Sequence, residues 1–161
     1  MTLLKNKIYI IFIVIISTIF LSSCGFKKIN QLNKQLIHMQ KVEIVGDNRI
    51  GFNLKNALLM ISSSNSANKV NIKINISKEK TIKEKDSTNK ISKYNMKLNV
   101  FLEIKDLNQN KIVTRNFTKE REINVATSHS NTVQNEKKAI ENLTDLVAED
   151  ISNYLNLYYR N

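Results

Sequence analysis

The sequence predicts an α+β domain, a two-layer sandwich in which a four-stranded sheet is covered on one face by two helices, in the order β-α-β-β-β-α. Three observations carry this expectation. Val70, Ile72, Ile74 and Ile76 alternate strictly with polar residues, the period of a strand with one buried face. Tyr94, Met96, Leu98, Val100, Leu102 and Ile104 alternate over a longer run, with Phe101 the one apolar residue among the intervening polar positions. Ile140, Leu143, Val147, Ile151, Tyr154 and Tyr158 instead step by three or four, the period of a helix with one apolar face. Elements with one apolar face each are buried most economically as two layers around one core.

The chain begins with a different kind of segment. Lys5 and Lys7 precede a nearly unbroken apolar run from Ile8 to Leu21. Fourteen helical residues reach roughly 21 Å, short of the ~30 Å hydrocarbon core of a bilayer. That length fits a signal-peptide core better than a membrane span. The run ends in Leu21-Ser22-Ser23-Cys24, which resembles the bacterial lipobox. The resemblance implies that Cys24 is diacylated on sulfur, that the chain is cut before it, and that the new amino group takes a further acyl chain of the palmitate type. An uncleaved anchor with an incidental cysteine is the bland alternative. The expected organisation is a lipoprotein signal peptide over 1–23, a lipidated tether over 24–39 and a folded domain over 40–161.

Within that domain, Val42-Glu43-Ile44-Val45 reads as a short strand ending at Gly46. Asp47 or Asn48 can cap a helix in which Ile50, Leu54, Leu58 and Ile61 recur at helical spacing, with Leu59 and Met60 widening the stripe. The strand from Val70 to Ser77 leads into the polar stretch Lys78 to Lys90, the far end of a long hairpin. The strand from Tyr94 to Lys105 returns, and Asp106 to Asn110 supplies a five-residue turn. Ile112 to Val125 forms the last strand with less clean alternation, since Val113, Phe117, Ile123 and Val125 share parity with Arg115, Lys119 and Arg121. A bulge or a mostly exposed middle would each account for this. Asn131 and Gln134 have capping-box-like spacing ahead of the final helix, which Leu146 and Leu155 would widen. Ile72, Ile74, Leu98, Val100, Leu143, Val147 and Ile151 are expected to meet in one interior.

Composition narrows the function. The 161 residues carry a formal charge of +11, with one cysteine, three glycines and no proline. One cysteine cannot form an internal disulfide or a zinc site of the common four-ligand kinds. No glycine-rich phosphate loop is present. Residues 24–132 hold 20 basic side chains against 9 acidic, whereas residues 133–161 hold 3 against 5. An exported basic domain does not meet nucleic acid, so anionic lipid or polysaccharide is the better partner class. Lysines that merely keep faces solvated would read the same way.

Cys24-Gly25-Phe26 directly after the lipobox resembles the start of the LPS-assembly lipoprotein family LptE, also called RlpB. The final helix, with Ala139, Leu143, Ala148, Ile151 and Leu155, is similar to that family's C-terminal helix, and the order of elements is the family's. Lys27-Lys28 and a first helix without an arginine-rich face depart from it. The resemblance implies an outer-membrane lipoprotein, lipid-anchored and facing the periplasm. It would plug and help assemble the LptD-like β-barrel that inserts lipopolysaccharide, contacting lipopolysaccharide as it passes. The alternative is a generic outer-membrane lipoprotein, a lipid carrier or an auxiliary part of another envelope transporter.

Arg115, Phe117, Lys119 and Arg121 are the candidate ligand residues, a cationic row interrupted by one aromatic and suited to the phosphates and acyl chains of lipid A. If the row faced outward, Phe117 would be exposed with it. No enzyme is expected. His38 and His129 are the only histidines, and Ser128-His129-Ser130 carries no nucleophile elbow. Glu120 and Glu122 alternate among cations, which suits a solvated strand face better than a pair of catalytic carboxylates. The sequence points to no cofactor and no metal.

Overall fold

The computed structural model describes residues 37–160. Its elements are β1 (Ile37–Val45), α1 (Asn48–Leu59), β2 (Asn68–Lys85), β3 (Ile91–Asp106), β4 (Lys111–Asn124) and α2 (His129–Tyr158). The predicted order and class are present. The sheet is ordered β1-β2-β3-β4, with β1 parallel to β2 and the two following pairs antiparallel. A parallel pair cannot be joined by a tight turn, and α1 supplies the crossover. Both helices lie on one face of the sheet, α1 over β1 and β2 and α2 over β3 and β4.

The core forms where the apolar parities meet. Val70, Ile72, Ile74 and Ile76 of β2 join Met96, Leu98, Val100, Leu102 and Ile104 of β3 beneath Leu54 and Leu58 of α1 and Leu143, Val147, Ile151 and Leu155 of α2. All seven residues expected to meet in the interior are in this one cluster. Asp47 caps α1, its carboxylate accepting from the Arg49 and Ile50 N–H groups at 3.1 Å. Asp106 organises the β3–β4 turn, accepting from the N–H groups of Asn108 and Gln109 at 2.9 Å.

Several expectations change. β1 starts at Ile37, so the last residues of the segment read as a tether belong to the sheet, with Ile37 and Met39 buried. A bulge between Met39 and Lys41 switches the inward parity from 37 and 39 to 42 and 44, which hides the alternation of this strand. Leu59 and Met60 do not widen the buried stripe. Met60 is 80% exposed, because α1 ends there and the chain turns back toward β1. Leu146 faces out on α2, leaving the buried stripe to Ala139, Leu143, Val147, Ala148, Ile151 and Leu155. The cap of α2 is Ser128, whose hydroxyl accepts from Asn131 N–H at 3.2 Å, so His129, Asn131 and Gln134 are helical rather than preceding the helix.

Candidate functional site

Cys24 lies outside the described residues. The cationic row lies within them, and its geometry resolves the parity conflict in β4. No bulge interrupts the β3–β4 pairing: Ile104 faces Val113, Leu102 faces Arg115, Val100 faces Phe117, Leu98 faces Lys119 and Met96 faces Arg121. Every residue of the row therefore lies on the helix-covered face of the sheet. Arg115, Lys119 and Arg121 avoid full burial because β4 is an edge strand, where long side chains can pass beside α2 toward solvent while their stems cover apolar surface.

Each member of the row meets α2. Lys119 Nζ lies 2.7 Å from the Asp150 carboxylate. Arg121 donates to Asn142 Oδ1 at 2.7 Å. The Arg115 guanidinium sits 5.6 Å from the centre of the Tyr154 ring, a cation–π distance. Phe117 packs edge-on against the same ring at 6.0 Å and is half-buried against the core. Lys111 extends the row over Tyr158 at 5.9 Å. The four candidates form one continuous seam between strand and helix, with a mixed cationic and aromatic surface. Sequence reading missed Tyr154, Asn142 and Asp150 as its other half, since their spacing from β4 is set only by docking of the helix.

A second concavity lies where the N-terminal parts of α1 and α2 flank the outer half of β2. This cleft holds about 520 Å³. Ile50, Met96, Val133 and Ile140 contribute apolar surface to it. Three ion pairs stand around it: Lys78 with Asp47 at 2.6 Å, Lys80 with Glu136 at 2.7 Å and Arg49 with Glu141 at 2.9 Å. Lys80 also lies 4.2 Å from the centre of the Tyr94 ring. The Lys78 ammonium, together with the Ile50 N–H, holds the Asp47 carboxyl below its ordinary range. Apolar walls under paired charges suit an amphipathic group whose polar end exchanges with the surface ion pairs.

Glu120 and Glu122 lie on the opposite face of the sheet and are tied up there. Lys97 reaches Glu120 at 3.0 Å, the Asn95 amide donates to Glu120 at 2.9 Å, and Lys83 lies 3.4 Å from Glu122. The Asn95 and Lys97 contacts lower the Glu120 pKa, in that order of weight. His38 is bound through Nδ1 to the Ser64 carbonyl at 3.0 Å, far in sequence from His129 at the start of α2.

No family model matches the chain, and no curated protein matches it. Solved structures do. A protein from Nitrosomonas europaea described as lipoprotein B aligns at a TM-score of 0.56 and 14% identity, over 83% of this chain and 92% of that one. Rare lipoprotein B from Shewanella oneidensis aligns at 0.51 and 11% identity, over 73% and 98%. A Caulobacter crescentus protein described as a lipoprotein aligns at 0.52 and 14%, over 74% and 90%. The fold is shared. At these identities the likeness concerns the path of the chain and carries no site residue across.

Proposed function

We propose that this chain is a lipid-anchored lipoprotein of the outer membrane, facing the periplasm, that serves lipopolysaccharide assembly as the LptE-type partner of an LptD-like β-barrel. The observation that carries the reading is a conjunction: Leu21-Ser22-Ser23-Cys24-Gly25-Phe26 precedes a domain whose fold is that of rare lipoprotein B. Two or more acyl chains on Cys24 would make the attachment stable, where one chain holds only marginally.

The strand–helix seam gives the reading a contact surface. An exposed ion pair such as Lys119 with Asp150 is worth about 1 kcal/mol or less, whereas a well-made charged hydrogen bond to phosphate contributes roughly 1.5–3 kcal/mol. Lipid A phosphate can therefore displace the intramolecular partners of Lys119 and Arg121 at little cost. Phe117 and Tyr154 offer apolar surface beside them. The domain needs no bond-making chemistry to act in this way.

The cleft between the helices favours a second reading, a stand-alone lipid carrier, because its apolar walls fit an acyl chain. One experiment separates the two. The tagged full chain is purified from solubilised membranes without crosslinking. A large β-barrel that co-purifies and changes its gel mobility on heating supports the LptE-type reading. A chain that comes down with stoichiometric lipid and no barrel overturns it in favour of the carrier.

A further inference from the structure

The face of the sheet turned away from the helices is charged along much of its length, and the exception is local. Across β2, β3 and β4 one row is Lys73, Glu103 and Thr114, and another is Glu79, Lys97 and Glu120. Ion pairs hold these rows: Lys73 with Glu43 at 3.4 Å and Lys97 with Glu120 at 3.0 Å. Between them lie two rows with no charge, Val45-Asn75-Phe101-Asn116 and Ser77-Asn99-Thr118. The chain is 24% charged residues, yet it places amides, hydroxyls, one valine and one phenyl ring at these central positions.

A shallow pocket of about 280 Å³ sits on this island. Val45 and Gly46 stand on one side and Phe101 on the other, with Asn75 on the strand between. Val45 is 46% exposed and Phe101 39%. Neighbouring strands lie about 4.8 Å apart, so the two apolar walls stand about 10 Å apart. Gly46 has φ of 110°, and an added Cβ would strike the Ile76 carbonyl oxygen, so beside the Val45 side chain this wall is bare backbone.

The polar groups are only partly used. Thr118 Oγ1 donates to Asn99 Oδ1 at 2.8 Å, and Asn116 Nδ2 donates to Thr118 Oγ1 at 3.4 Å. The Asn99 amino group, the Asn116 carbonyl and the whole Asn75 amide have no intramolecular partner among the described residues. An amide offers a donor and an acceptor side by side, which matches the vicinal hydroxyls of a sugar. A phenyl ring offers a flat face to the C–H groups of a pyranose.

We infer that this island binds an uncharged sugar ring of an envelope glycan. Phosphate finds no cation in the pocket lining, an acyl chain would desolvate the Asn75 amide without a partner, and an extended peptide pairs with a sheet edge rather than a face. The site lies on the opposite side of the sheet from the cationic seam; the choice of an envelope glycan rests on the location proposed above, whereas the binding of a sugar ring does not.

The test is a side-chain amide NMR titration of the full chain in a sugar-free detergent. One arm uses oligomers of N-acetylglucosamine, the other a dephosphorylated, neutral core oligosaccharide cut from lipopolysaccharide. Saturable shifts at the Asn75, Asn99 and Asn116 amides, unchanged by added salt, are expected in at least one arm, and the arm that saturates names the source. Phe101→Ala should weaken binding about tenfold, the size of one lost ring contact, while Phe101→Tyr and the distant Phe52→Ala retain it. No saturable shift in either arm, or binding that survives Phe101→Ala undiminished, overturns the inference.

Discussion

Lys119 Nζ lies 2.7 Å from the Asp150 carboxylate, joining the outer strand to the C-terminal helix along the edge of the core. The Lys119 Cα stands in register with Leu98, which is fully buried on the adjacent strand. A position that alternation assigns to the interior is thus held by a cation. Its side chain keeps 34% of its surface exposed, enough for solvent to weaken the pair and for a ligand to compete for it.

The seam predicts separable effects on stability and binding. Lys119→Gln alone should cost less than about 1 kcal/mol in denaturant unfolding, as exposed pairs do. Arg115, Lys119 and Arg121 changed together to glutamine should leave a folded domain with weakened, less salt-sensitive binding of lipopolysaccharide. Residues 25–161 serve for this titration, since they carry every strand and helix described above. Undiminished binding by the triple variant would remove the seam as the ligand surface.

The docked helix predicts a sharp contrast along α2. Leu143 is 1% exposed in the core cluster, and Leu143→Ala should cost about 2–5 kcal/mol. Asp145→Ala, on the solvent side of the same helix, should change stability by roughly 0.5 kcal/mol or less. Equal small losses in urea unfolding would mean that α2 is not packed as described.

Gly51 predicts a coupled pair. It is buried in α1 where an added Cβ would collide with the Cγ2 of Ile44 on β1. Alanine favours a helix over glycine by about 1 kcal/mol, but overpacking costs about 1–3 kcal/mol. Gly51→Ala should therefore destabilise, and Ile44→Ala in the same chain should recover part of the loss. A double-mutant cycle with no coupling would refute this close approach.

Asp47 predicts a dependence on acid. Its carboxyl is held low first by the Lys78 ammonium and then by the Ile50 N–H. A folded pKa below the unfolded one gives stability that is complete above the unfolded value and is lost as pH falls through the folded one. Asp47→Ala should cost about 1 kcal/mol near neutrality, the usual size of a lost cap. The gap to the parent should narrow below about pH 4. A gap that stays constant down to pH 2 would show that the charge contributes nothing.

Cys24 predicts the anchor. Cys24→Ser should leave a precursor that keeps residues 1–23 and carries no acyl chain, visible by intact mass and by membrane fractionation. A serine variant of unchanged mature mass in the outer membrane would refute lipidation at this position.

The order of elements was legible because its signals are local. Alternation in Val70–Ile76 and Tyr94–Ile104, the helical stripe through Leu143 and Ile151, and the Asp47 cap each depend on a few neighbouring residues. The start of β1 was not legible, since the bulge after Met39 reverses which parity faces inward. The exposure of Leu59 and Met60 was hidden because a helix stripe does not announce where the chain turns away.

The sequence by itself determined the order of strands and helices, which faces of β2 and β3 are apolar, and that four candidate ligand residues share one parity of β4. Only the tertiary structure decided what that parity meant. β4 lies at the edge of the sheet and α2 runs beside it, so Phe117 reaches the core while Arg115, Lys119 and Arg121 pass around the helix to Tyr154, Asp150 and Asn142. Whether a strand stands at an edge depends on pairing with distant parts of the chain, and a local period carries no record of which neighbour a strand will find.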